Sequence, residues 1–150
     1  MQFLSQTQIS YIDIRFAAHA TEDVNKVTEA VRNILPVDYL DDILFKSSNI
    51  DGHYGNPIFF FETRIKNEKI TKAFVENISS KLSSLDKEEL NRELDRCTDK
   101  GSLYIRLDKQ AAFQKKVKLT VPDPIRIRIR FRKFKNEDMT EICRIVGIIP

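Results

Sequence analysis

The feature that most constrains this chain is the run "IRIRIRFRKFK" at residues 125–135. Strict alternation of apolar and cationic residues has the period of a β-strand, whose successive side chains point to opposite faces; on a helix the same residues would scatter around the axis. Ile125, Ile127, Ile129 and Phe131 therefore share one side, while Arg126, Arg128, Arg130 and Arg132 share the other. The apolar row belongs against a core. The arginine row spreads four guanidinium groups over roughly 20 Å at about 3.3 Å per residue, and these repel one another unless an anion lies across them.

At 150 residues, 41% of them hydrophobic and with only four glycines and five prolines, the chain is expected to form one domain over 1–150. A chain of this size buries about 68–70% of its unfolded surface, enough for a core without disulfide or metal staples. Cys97 and Cys143 lie outside any Cys/His spacing that would hold zinc, and are read as reduced structural residues. No apolar run reaches the eighteen or so residues of a membrane span, and the start of the chain lacks the pattern of a signal peptide, so a cytoplasmic protein without membrane contact is expected. The net charge is only +3, but residues 115–135 hold nine Lys or Arg against the single Asp123, which leaves the rest of the chain acidic. Positive charge gathered into one segment is the footprint of a surface that meets a polyanion.

Elsewhere the periodicity alternates between the two element types. "ISYIDIRF" reads as a first strand, and Val24, Val27, Val31 and Ile34 as a helix over about 22–35 capped by Thr21. "DILFKSSNI" and "PIFFFETRI" flank "DGHYGNP" as a hairpin, and the successive Phe59, Phe60 and Phe61 suggest burial on both faces. Ile70, Phe74, Ile78 and Leu82 mark a second helix, and Asp86 is read as the cap of a third. "GSLYIRLDK" is a strand, "VKLTV" a short one before "PDP" turns into the arginine strand, and the tail a final helix capped by Asn136. The fold expected is α+β, a two-layer sandwich with a mostly antiparallel sheet and helices on one face.

The motifs of enzymes are missing: no HExxH, P-loop, GxSxG or GxGxxG occurs, and the acidic cluster of Asp38, Asp41 and Asp42 has no histidine beside it. No catalytic residue, metal ligand or cofactor is assigned; a hydrolase using His19 with Glu22 or Asp23 is the remaining enzymatic alternative. On an edge strand the arginine row could simply prevent edge-to-edge aggregation. Arginine in strict alternation favours phosphate instead, because its planar fork matches phosphate oxygens better than lysine does. Lys133 and Lys135 extend the row, and Lys115, Lys116 and Lys118 would widen it if their strand lies alongside. Arg106 and Lys109 are further candidate phosphate contacts; His53, Tyr54 and Asn56 are candidates for meeting phosphate or a base, with His53, Tyr54 and Tyr104 the residues favoured for bases.

The segments "RFAAHATED" at 15–23, "GHYGNPI" at 52–58, "LYIRLDKQAAF" at 103–113 and "DPIRIRIRF" at 123–131 come in one order over nearly the whole chain. In them the chain resembles an archaeal family of small RNA-binding proteins described as predicted exosome subunits. The resemblance implies a fold akin to the large-subunit ribosomal protein that binds five-S RNA. It also implies that His19, Thr21 and Glu22 carry the first motif, Gly52, His53, Gly55 and Asn56 the second, and Arg106, Asp108, Lys109 and Gln110 the third. One departure stands out: a glycine expected shortly after "KQAAF" is replaced by "QKKVKL".

The expectation is thus a non-catalytic RNA-binding protein whose arginine strand tracks phosphates, with RNA and exosome or other RNA-processing proteins as partners. Docking of the same strand onto an acidic protein is the alternative from another class, since carboxylates and phosphates attract the same fork.

Overall fold

The computed structural model describes residues 8–51, 56–132 and 138–150. Six strands form one antiparallel sheet: β1 (Gln8–Ala18), β2 (Lys46–Asp51), β3 (Pro57–Ile65), β4 (Thr98–Asp99), β5 (Ser102–Leu107) and β6 (Ile125–Arg132), in the order β2-β3-β1-β6-β5-β4. Helices α1 (Val24–Asn33), α2 (Glu68–Lys81), α3 (Ser84–Arg92), α4 (Leu94–Cys97), α5 (Lys109–Phe113) and α6 (Met139–Ile145) complete it, with a 3-10 turn at Val37–Asp42. This is the expected α+β sandwich.

The two best-patterned strands meet at its centre. β1 pairs with β6 in the register Ile12↔Ile129 and Ile14↔Ile127, and β5 flanks β6 with Leu103↔Ile129 and Ile105↔Ile127. Ile12, Ile14, Leu103, Ile105, Ile127 and Ile129 are all buried, and they meet Val31 and Ile34 of the α1 region, Phe74 and Ile78 of α2, and Ile142 and Cys143 of α6 in one core. Each such side chain contributes about 1.5–3 kcal/mol relative to exposure. A bulge at Ser10 shifts the β1 register between Ile9↔Phe131 and Tyr11↔Arg130. The extra residue turns Tyr11 to the face opposite the core.

Several local expectations need correction. Asp23, not Thr21, caps α1, its carboxylate accepting from the Asn25 and Lys26 amides. Ser83, not Asp86, caps α3; the Asp86 carboxylate instead accepts the Leu119 N–H across 3.1 Å. α6 is capped by Asp138, while Asn136 lies outside the described residues. "VKLTV" forms only a single bridge, Leu107↔Leu119, because Pro122 has no N–H to continue a ladder and Asp123 takes a positive φ of 44°. Phe60 is 40% exposed: helices cover one face of β3, so alternate phenylalanines must point away from them.

The missing glycine is explained at the end of α5. Lys115 takes φ 65°, its N–H donates to the Ala112 carbonyl, and the Lys116 N–H donates to the Ala111 carbonyl. That pair of bonds is a Schellman ending, in which the left-handed position usually belongs to glycine.

Candidate nucleic-acid interface

The arginine strand is not at an edge. β6 is hydrogen-bonded to β1 on one side and β5 on the other, so its charge is not needed to block an unpaired edge. Its cationic row lies instead in the middle of the sheet face that the helices leave uncovered.

Cross-strand registers build that face row by row. Arg106, Arg126, Arg15, Glu62 and Lys46 follow one another across β5, β6, β1, β3 and β2. The next row holds Tyr104, Arg128, Asp13 and Arg64, and the one beyond it Ser102, Arg130 and Tyr11. Arg132 ends the β6 series. With Asp99, which pairs with Ser102 at the end of the third row, eight cations face three carboxylates among the described residues, and two of these, Asp13 and Glu62, are engaged by arginines. Asp13, only 6% exposed, accepts from Arg64 Nε and Nη2 at 2.7 and 2.9 Å; Glu62 lies 3.5 Å from Arg15. The hydrogen bonds to Asp13 and its charge outweigh desolvation and raise the Arg64 pKa.

The arginines differ in freedom. Arg106 and Arg126 are exposed. Arg128 is half-buried, donates from Nε to Ser102 Oγ at 3.1 Å, and places its guanidinium 5.5 Å from the ring centres of both Tyr11 and Tyr104. Arg130 donates to the Lys100 carbonyl in the β4–β5 turn. These contacts fix the orientation of Arg128 and Arg130, while Arg106 and Arg126 stand exposed to a ligand. Arg106, Arg126 and Arg15 stand in register, with about 5 Å between opposed Cβ atoms. Like charges so placed repel by on the order of 1 kcal/mol per pair even in water.

Other expected site residues go elsewhere. The Lys109 side chain is only 12% exposed, and its ammonium donates to the Ala17 carbonyl at 2.6 Å and to Asp123 at 2.8 Å, with Glu22 at 3.3 Å. It is a tie between β1, α5 and the approach to β6, with no donor left over for phosphate. His19 Nε2 lies 3.0 Å from the other Asp123 oxygen, and the His19 N–H donates to Glu22. Burial alone would push the Asp123 carboxyl up, but hydrogen bonds from Lys109 and His19 outweigh it and hold it below the ordinary value. His19, Glu22 and Asp123 offer ligand atoms within 4.8 Å of one another, and the cation that sits among them is Lys109. Asp23, the other acid of the hydrolase alternative, is occupied as a helix cap.

Asp108 caps α5 through the Ala111 N–H, and Gln110 is exposed on that helix. Lys115, Lys116 and Lys118 are exposed, but their segment runs along the outer edge of β5 through Leu107↔Leu119, which puts β5 between them and the arginine strand. Asn56 is exposed just before β3; Gly52, His53, Tyr54, Gly55, Lys133 and Lys135 lie outside the described residues. Both cysteines are free thiols, and burial pushes Cys143 up to about 12, in keeping with a structural role. Among the described residues no helix is long and apolar enough to cross a membrane.

Tyr11, Asp13, Arg15, Lys46, Phe60, Glu62 and Arg64 were not singled out from the sequence. The signal was present in "YIDIRF", which alternates as β6 does, but not in "FFETR", where two apolar residues are followed by three polar ones. Only the strand order shows that their polar positions extend one surface.

A family model described as RNA binding matches residues 11–131. A protein of Pyrococcus abyssi that carries the name RNA-binding protein is 35% identical over 142 residues, spanning 91% of this chain and 92% of its own length. Among solved structures, a protein of Archaeglobus fulgidus assigned to the family model DUF54 superposes with a TM-score of 0.78 at 29% identity, covering 93% of this chain and 99% of that one. A DUF54 protein of Methanothermobacter thermautotrophicus gives 0.75 at 26% identity, covering 95% and 99%.

Proposed function

This chain belongs to the RNA-binding family, and from that premise we propose that its uncovered sheet face is the surface on which RNA lies, with phosphates held by the β6 arginines and their cross-strand neighbours. The observation that carries the proposal is the row Arg106–Arg126–Arg15, three guanidinium groups in register with a single carboxylate, Glu62, at one end. A polyanion laid across the row removes the repulsion and offers each fork its oxygens. Residues 1–150 act in this reading as one binding unit in the cytoplasm, and no catalytic residue is assigned.

The test is a salt series on single-stranded and double-stranded RNA. Four neutralised phosphates give a log–log slope of about −2.8 on a single strand, or about −3.6 with B-form duplex coefficients. Replacing Arg126 and Arg128 together with alanine is expected to weaken binding to all sequences and flatten the slope by about 1.4–1.8. An unchanged slope removes the row as the contact surface. No binding by the wild type at low salt would turn the face toward an acidic protein partner. The exosome association implied by the resemblance is tested by pull-down with and without nuclease.

A further inference from the structure

Beyond the phosphate track, the same face ends in a groove of about 610 Å³ between the β1–β3 side and the approach to β6. A cavity of this size holds a nucleotide. Phe60 forms part of its wall and differs from the other aromatic rings of the face. Tyr11 has the Arg64 guanidinium 3.9 Å from its ring centre, and Tyr104 has Arg128 at 5.5 Å. Among the described residues no guanidinium covers Phe60, and its cross-strand neighbours are the small Ala17 and Ser48, which leave the ring face accessible. Around this apolar wall stand the cations Arg15, Lys46 and Arg126, with His19 beside them; the two carboxylates of the lining are already engaged, Glu62 by Arg15 and Asp123 by Lys109 and His19.

We infer that this groove is a seat for one unpaired nucleotide, its base stacked on Phe60 and its flanking phosphates held by Arg15, Lys46 and Arg126. The chemistry points to a nucleotide because an aromatic wall ringed by cations matches an apolar base joined to anionic phosphates. An aliphatic ligand would leave three cations facing Glu62 alone, and a free phosphate would leave the ring uncovered. A base inside a duplex cannot present its face to Phe60, so the seat favours single strands, loops or bulges over continuous double helix. Stacking on an unadorned ring is tolerant of base identity. The inference rests on the proposed RNA-binding face and adds to it which kind of RNA that face prefers.

The chain contains no tryptophan, so Phe60→Trp introduces a sole indole as a reporter in the groove. Titration with a mixed-sequence single-stranded RNA octamer is expected to quench its emission, whereas a blunt duplex of the same sequence leaves it unchanged. In parallel, Phe60→Ala and Phe60→Leu are expected to weaken octamer binding roughly tenfold, the scale of one lost base stack, with the salt slope unaltered because no phosphate contact is lost. Phe60→Leu keeps an apolar side chain at a half-exposed site, so its fold is preserved even if the alanine variant is damaged. Wild-type affinity in the leucine variant, or an indole indifferent to bound octamer, overturns the seat while leaving the arginine face standing. Failure of the face itself shows differently, as wild-type protein that binds neither RNA at low salt, and the seat falls with it.

Discussion

Lys109 is the residue whose role departs furthest from what its neighbours in sequence suggest. In "RLDKQAAF" it reads as one more cation for phosphate, yet its ammonium is spent on the Ala17 carbonyl, Glu22 and Asp123. No sequence pattern announces this, because the three acceptors come from segments 92, 87 and 14 residues away. Lys109→Met is expected to cost about 1.5–3 kcal/mol in urea unfolding, the range for hydrogen bonds to charged groups, while leaving the salt slope of RNA binding unchanged. The pH dependence follows from Asp123, whose folded-state value is depressed below the ordinary 3.8. Its contribution is fully present above that value and is lost as pH falls through the lower folded one. Stability measured from pH 5 down to 2 should therefore fall less steeply in Asp123→Asn than in the wild type.

At the scale of elements, period-two alternation made β1, β5 and β6 legible as strands, and each has the predicted face in the core. The position of β6 inside the sheet was not legible, since strand order depends on pairings between distant segments that periodicity does not encode. That position matters energetically. Arg126 is flanked in register by Arg15 and Arg106, so the free protein carries like charges side by side, offset by Glu62 at one end alone. Arg126→Gln is expected to stabilise the unliganded fold by about 0.5 kcal/mol at low ionic strength, an advantage that fades as salt screens the row. Urea melts at low and high salt check this; a destabilised variant would mean that the row is not under repulsion. The cost of the row in the free state is the element-scale counterpart of its proposed use.

For the molecule as a whole, the decisive contact is between strands from opposite ends of the sequence. β1 and β6 pair through Asp13↔Arg128 and Ile14↔Ile127, so more than a hundred residues must be looped before the central ladder closes. Long-range antiparallel pairing of this kind slows folding. Stopped-flow refolding is expected on the millisecond-to-second scale, and a microsecond phase carrying the full amplitude would contradict a nucleus that includes β1 and β6. The α+β class could be inferred from the sequence because it needs only the kinds of elements present. The continuous cationic face could not, because it is assembled from four further strands around β6, among them Arg15 on β1, Lys46 on β2, Arg64 on β3 and Arg106 on β5.

The enclosure of β6 also sets how this strand tolerates changes of length. With both neighbours fixing its register, loss or gain of a single residue between Ile125 and Arg132 exchanges the two sides of the strand beyond that point, carrying guanidinium groups into the core and isoleucines into water. Substitutions along the arginine row can be graded, each removing one guanidinium, but insertions and deletions there cannot. Folding and the proposed RNA contact share one register in β6, so a shift of one position would abolish both together.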